Sequence, residues 1–164
     1  MKELLLILAI MTLSGCSQEF DSDKFNSILP GTWEYSENLD MGKSLFIKSL
    51  DKIDITKGKG YIIKSEQHYY STIDDQFYVR LKANESGVIE TKGNELFFTP
   101  DAIEMTYFQS NVSQITEKSM REKIKALIGI PQKYKIREYG PNKIILQDLE
   151  YDEPRVWEKS ESSP

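Results

Sequence analysis

A series of short apolar runs with a period of two, each closed by turn-forming residues, constrains this chain more than any other feature. Phe77, Val79 and Leu81 alternate with Tyr78, Arg80 and Lys82, as in a strand with one face in a core and the other in water. Ile53-Asp54-Ile55 gives way to Lys57-Gly58-Lys59-Gly60 before Tyr61-Ile62-Ile63. Further runs are Val88-Ile89, Leu96-Phe97-Phe98, Ile103 to Tyr107, Tyr134 to Ile136, Ile144 to Leu146 and Val156-Trp157. Turn signals at Asn84 to Gly87, Gly93-Asn94 and Gly140-Pro141-Asn142 separate many of them. Short strands at a spacing of roughly 8–15 residues predict an antiparallel sandwich or barrel. The lack of βαβ alternation excludes a Rossmann-type sheet.

One helix interrupts the series. Ser119 and Glu122 have capping-box spacing, and Met120, Ile124, Leu127 and Ile128 form an apolar stripe away from Arg121, Lys123 and Lys125. Gly129 suits the left-handed position after a helix and Pro131 forbids continuation, so an inserted α-helix is expected over about 119–128. Such a helix covers one end or open side of the sheet, or acts as a movable lid. Phe25, Ile28 and Leu29 predict a shorter helical turn that docks on the domain before Pro30 stops it.

The first residues read as an address. Leu4 to Leu13 is an apolar run of ten residues, about 15 Å as a helix against the roughly 30 Å of a bilayer core. That length fits a secretory signal segment. Leu13-Ser14-Gly15-Cys16 resembles the lipobox of bacterial lipoproteins. The resemblance implies cleavage of residues 1–15, a lipid on Cys16 and attachment to a membrane through it. With Ser17 following the Cys, the resemblance favours the outer membrane, facing the periplasm. Residues 16–30 then form the lipidated Cys and a tether, 31–160 the domain, and 161–164 a disordered tail.

Composition narrows the chemistry. With 26 acidic against 21 basic residues the net charge is −5, which disfavours nucleic acid as a partner. One Cys and one His provide no intramolecular disulfide and no thiolate or imidazole metal cluster. His68 reads as an ordinary strand residue, Asp74-Asp75 as a turn, and Asp148, Glu150 and Asp152 as a solvated hairpin or loop, their alternate row lacking the spacing of a calcium loop. No nucleophile elbow or selected carboxylate pair appears, so no catalytic residue, metal or cofactor is assigned and an enzyme is not expected. Nine Tyr, seven Phe and two Trp suit a barrel core, the lining of a cavity or an exposed partner surface.

Within the domain, Leu29-Pro30-Gly31-Thr32-Trp33 resembles the Gly-x-Trp motif that opens lipocalin-like domains. The resemblance implies that Trp33 closes one end of the barrel, that Gly31 lets the backbone pass close by, and that a basic residue on the last strand packs across the Trp. Arg155 is the first candidate for that residue and Lys159 the second. Two departures are plain: the helix precedes the last strands, whereas lipocalins place theirs after the barrel, and the family's usual cysteine pair is missing.

The expectation is therefore a mostly β, lipocalin-like antiparallel barrel of about 8–10 strands with one inserted helix. By resemblance it binds a small hydrophobic or amphiphilic ligand at the cell envelope, with Gly31, Trp33 and Arg155 as structural residues at the closed end and the ligand contacts unassigned. The alternative is a filled barrel that meets an envelope protein, as an assembly factor or an inhibitor of an exported enzyme.

Overall fold

The computed structural model describes residues 20–40, 45–71, 76–150 and 152–160. The signal segment, the Leu13 to Cys16 motif, the start of the tether, Asp74-Asp75 and the 161–164 tail lie outside the described residues. A short helix, α1 (Ser22–Ile28), precedes strands β1 (Gly31–Asp40), β2 (Leu45–Ile55), β3 (Gly60–Ser71), β4 (Phe77–Lys92) and β5 (Glu95–Ser110). Helix α2 (Glu117–Lys125) follows, then β6 (Gln132–Tyr139), β7 (Lys143–Asp148) and β8 (Pro154–Lys159). Each strand pairs antiparallel with its sequence neighbour, and β1 closes on β8 through Trp33 opposite Lys159 and Glu34 opposite Glu158. The result is a closed, mostly β barrel of eight strands.

The strands are longer and fewer than the turn signals implied. Asn84 to Gly87 is no turn: β4 runs straight through it, with a register irregularity between Ser86 and Gly87. The backbone there approaches β5 so closely that a Cβ on Gly87 would lie 2.1 Å from the Thr99 carbonyl oxygen. The glycine thus marks a bulge, where an extra residue bends a continuous strand. Leu96 to Phe98 and Ile103 to Tyr107 likewise belong to one strand, β5.

At the lower end, α1 plugs the barrel. Asp21 caps it by accepting from the Lys24 N–H at 2.9 Å. Phe25 and Leu29 are buried against Trp33, and Phe20, Phe25 and Tyr139 meet as an aromatic triplet with centroids 5.4–5.6 Å apart. Above them Ile53, Ile55, Tyr61, Ile89, Leu96, Phe98, Ile144, Leu146 and Trp157 fill the lower half. Each such side chain contributes roughly 1.5–3 kcal/mol by leaving water.

Helix α2 begins two residues before the expected start. Thr116 is its N-cap, and Thr116 and Ser119 form the capping box reciprocally, so Ser119 occupies the third helical position rather than the cap. The helix also ends earlier than expected, at Lys125 with Ala126 as C-cap, so Gly129 takes its left-handed backbone, φ +78°, in the turn beyond the helix rather than directly after it. Because β6 pairs with β5 only from Glu95 to Phe98, the upper part of β5 has no strand on that side. Met120 and Ile124 cover it, packing on Leu81, Ile103, Met105 and Phe108.

Candidate functional site

Strand register turns the inward positions into successive rows. Trp33, Ile53 and Ile63 lie side by side across β1, β2 and β3; two residues further up lie Tyr35, Asp51 and Ser65, then Glu37, Ser49 and Gln67. The interior therefore changes from apolar to polar within one step of the pleat. At that step sits a cavity of about 200 Å³ whose wall includes Tyr35, Asp51, Gln67, Glu85, Tyr134 and Arg155, floored by Phe98 and Trp157. A wider groove of about 470 Å³ shares Gln132, Tyr134 and Arg155 with it and is edged by Leu127, Ile130 and Leu149. Those three are exposed, at 46%, 55% and 45%.

Arg155 organises the polar step. Its Nη2 donates to Asp148 Oδ2 at 2.9 Å, and its guanidinium lies 5.5 Å from the Tyr35 ring centroid and 5.1 Å from that of Tyr134. Burial opposes its charge, but the neighbouring Tyr134, Tyr35 and Asp148 outweigh that and hold its pKa above the usual value. Tyr134 is itself pushed up to about 12, chiefly by burial.

The two other cavity carboxylates have no ion pair among the described residues. Burial raises the Asp51 carboxyl above the ordinary range, against a hydrogen bond from Ser65 and the Arg155 charge. Its Oδ1 is buried without a hydrogen-bond partner. Burial likewise raises Glu85, against a 2.6 Å hydrogen bond donated by the Tyr61 hydroxyl, and the charge of Asp51 pushes it further. Tyr35 is 4% exposed. Its hydroxyl is pushed up by burial and by the Glu37 carboxylate, which lies near but not in hydrogen-bond geometry.

Several residues stand elsewhere than the sequence suggested. Lys159, rather than Arg155, lies over Trp33: its Nζ is 5.0 Å from the ring centroid and donates to the Pro30 carbonyl at 3.3 Å. Arg155 lies four residues before Lys159 on β8, away from the closed end and at the polar step. Trp33 is fully buried, its Nε1 donating to the Leu29 carbonyl at 2.8 Å. Gly31 has φ +131°, and a Cβ there would sit 3.0 Å from Lys159 Cε.

Asp148, Glu150 and Asp152 do not share a face. Asp148 points inward to Arg155 and also accepts from the Glu150 N–H at 2.9 Å, whereas Asp152 accepts from Gln147 at 2.9 Å. His68 lies on the opposite face of β3 from Ser65 and Gln67, 2.9 Å from Glu66 and 3.1 Å from the Tyr70 hydroxyl. Of the aromatics, Trp33, Phe25 and Tyr61 serve the core, while Tyr35, Phe98, Tyr134 and Trp157 also line the cavity.

Sequence reasoning missed Asp51 and Glu85. For Asp51 the signal was present: with Ile53 and Ile55 facing inward, period two sends Asp51 and Ser49 inward and Leu50 outward, where it is 53% exposed. Glu85 keeps the odd-numbered parity of Val79, Leu81 and Ile89, but it lies in the Asn84 to Gly87 stretch that read as a turn. Comparison with protein-family models finds none that matches, and a search of curated proteins finds no match either.

Proposed function

We propose that this chain is a lipoprotein of a bacterial cell envelope, anchored by a lipid on Cys16 in the outer membrane and facing the periplasm, whose lipocalin-like barrel binds a small amphiphilic ligand. The observation that carries the ligand reading is the succession of surfaces at the open half: a small cavity with polar walls, continued by a groove edged with Leu127, Ile130 and Leu149. A polar end suits the former and an apolar tail the latter. A wholly hydrophobic ligand suits neither Asp51 nor Glu85, since apolar contact would leave buried polar groups without partners.

Anchoring rests on the Leu13 to Cys16 motif. One acyl chain binds a membrane only marginally, whereas two or more hold stably. Feeding an alkyne palmitate analogue to an expressing bacterium labels the chain, and Cys16→Ser abolishes the label; retained label in that variant contradicts the anchor. Native mass spectrometry of the mildly extracted protein tests the ligand: a co-purified amphiphile, or saturable one-to-one uptake of an added one, supports the reading, and a bare protein with no saturable uptake removes it.

The exposed Leu127, Ile130 and Leu149 also favour a second reading, a barrel that docks an envelope protein on this rim. Clustered exposed apolar side chains mark interaction sites on soluble domains. Replacing all three by Ser would then abolish partner capture, in a protein that takes up no small amphiphile before or after the change.

A further inference from the structure

Building on the proposed amphiphile site, we infer that the polar end of the ligand is a cation of the alkylammonium type, seated between Asp51, Glu85 and the Tyr35 hydroxyl. The cavity wall holds two carboxylates, and Arg155 is its cationic side chain among the described residues. That guanidinium is already committed to Asp148 and to the faces of Tyr35 and Tyr134. Two carboxyl groups, Asp51 and Glu85, thus face the cavity with no cation of their own among the described residues. A carboxylate-bearing amphiphile would set its own oxygens against those two carboxyl groups.

An independent observation points to a donor-rich ligand. Tyr35 is 4% exposed, faces the cavity and has no hydrogen-bond partner on its hydroxyl, and Asp51 Oδ1 is buried in the same condition. An ammonium carries three N–H donors and no acceptor, enough for Asp51 Oδ1, the Tyr35 oxygen and the Glu85 carboxylate. The Trp157 ring on the cavity floor suits a cation as well. The volume is about 200 Å³, room for an ammonium with its first methylenes. The rest of the alkyl chain then lies along Leu127, Ile130 and Leu149.

The test uses the full lipidated protein in nanodiscs, with empty nanodiscs subtracted, titrated calorimetrically with octylammonium, octanoate and octanol. One-to-one binding of octylammonium at least tenfold tighter than octanoate is expected, and the preference should disappear in the Asp51→Asn/Glu85→Gln variant. Asp51→Asn alone, checked by circular dichroism, retains a test should the double variant not fold, and is expected to weaken octylammonium binding several-fold. Octanoate or octanol binding as tightly as octylammonium, or a preference that survives the substitutions, overturns the cationic assignment and leaves the amphiphile reading intact. Binding of none of the three overturns both.

Discussion

Lys159 and Trp33 are cross-strand partners at the seam where the barrel closes, the ammonium 5.0 Å from the indole centroid. The same ammonium bonds the Pro30 carbonyl, so one side chain ties β8 to the chain entering β1. A partly exposed cation–π contact is worth about 0.5–1 kcal/mol, and Lys159→Ala is expected to lower stability by about 1 kcal/mol in urea unfolding. Gly31→Ala should cost more, about 1–3 kcal/mol, because φ +131° is open mainly to glycine and the added Cβ meets Lys159. Equal, negligible effects would remove the seam from the stabilising contacts.

Gly87 separates a bulge from a turn. An alanine there places its Cβ 2.1 Å from the Thr99 oxygen and 2.9 Å from Pro100 Cα, both backbone atoms that cannot swing aside. Gly87→Ala is expected to cost about 3 kcal/mol or more, at the top of the range for overpacking. Gly93→Ala, with φ +57° but open space around it, should cost only about 1–2 kcal/mol. Chemical denaturation of the two variants side by side measures the difference; a Gly87 variant as stable as the parent contradicts the close approach.

Asp51 makes stability depend on pH in a direction opposite to a salt-bridged acid. Its carboxyl is raised in the folded state, mainly by burial. Between the ordinary carboxylate value and that raised value the folded protein holds more protons than the unfolded chain, so stability falls as pH rises through the window. The groups around it are Ser65, Arg155, Glu37, Glu85, Tyr35 and Tyr134; the Ser65 hydrogen bond and the Arg155 charge oppose the shift, and burial outweighs them. Asp51→Asn should flatten the slope and raise stability at neutral pH by on the order of 1 kcal/mol. Melting temperatures across this range give the slope, and an unchanged slope places its cause elsewhere.

Helix α2 offers a direct check on its true start. Thr116 accepts from the Ser119 N–H at 3.2 Å, so Thr116→Ala should cost about 1 kcal/mol, the usual value of an N-cap. Glu122→Ala, a neighbour the capping-box spacing singled out, is expected to change stability by less than about 0.5 kcal/mol, as at an ordinary surface position. The reverse ranking in urea unfolding would restore the later start.

The barrel was legible because alternation survives in each strand. Strand ends were less so. A bulge glycine and a turn glycine look alike until the partner strand is in place, which is why Gly87 read as a turn. Arg155 and Lys159 have the same parity on β8, and only the register of β1 against β8 decides which reaches Trp33. Asp51 hid behind a general expectation that acids face water; the burial of its strand neighbours Ile53 and Ile55 fixes its direction more firmly than its own polarity does.

Trp157 lines the cavity while Trp33 is buried in the row beneath it, outside the cavity lining, and these are the two tryptophans of the chain. Biosynthetic 5-fluorotryptophan therefore gives two ¹⁹F resonances, assigned with Trp33→Phe, that report on the site and on the closed end separately. Titration with octylammonium should shift the Trp157 resonance to a plateau and leave that of Trp33 in place. A Trp157 resonance that does not move, or two resonances that drift together without saturating, would contradict a ligand site in this barrel.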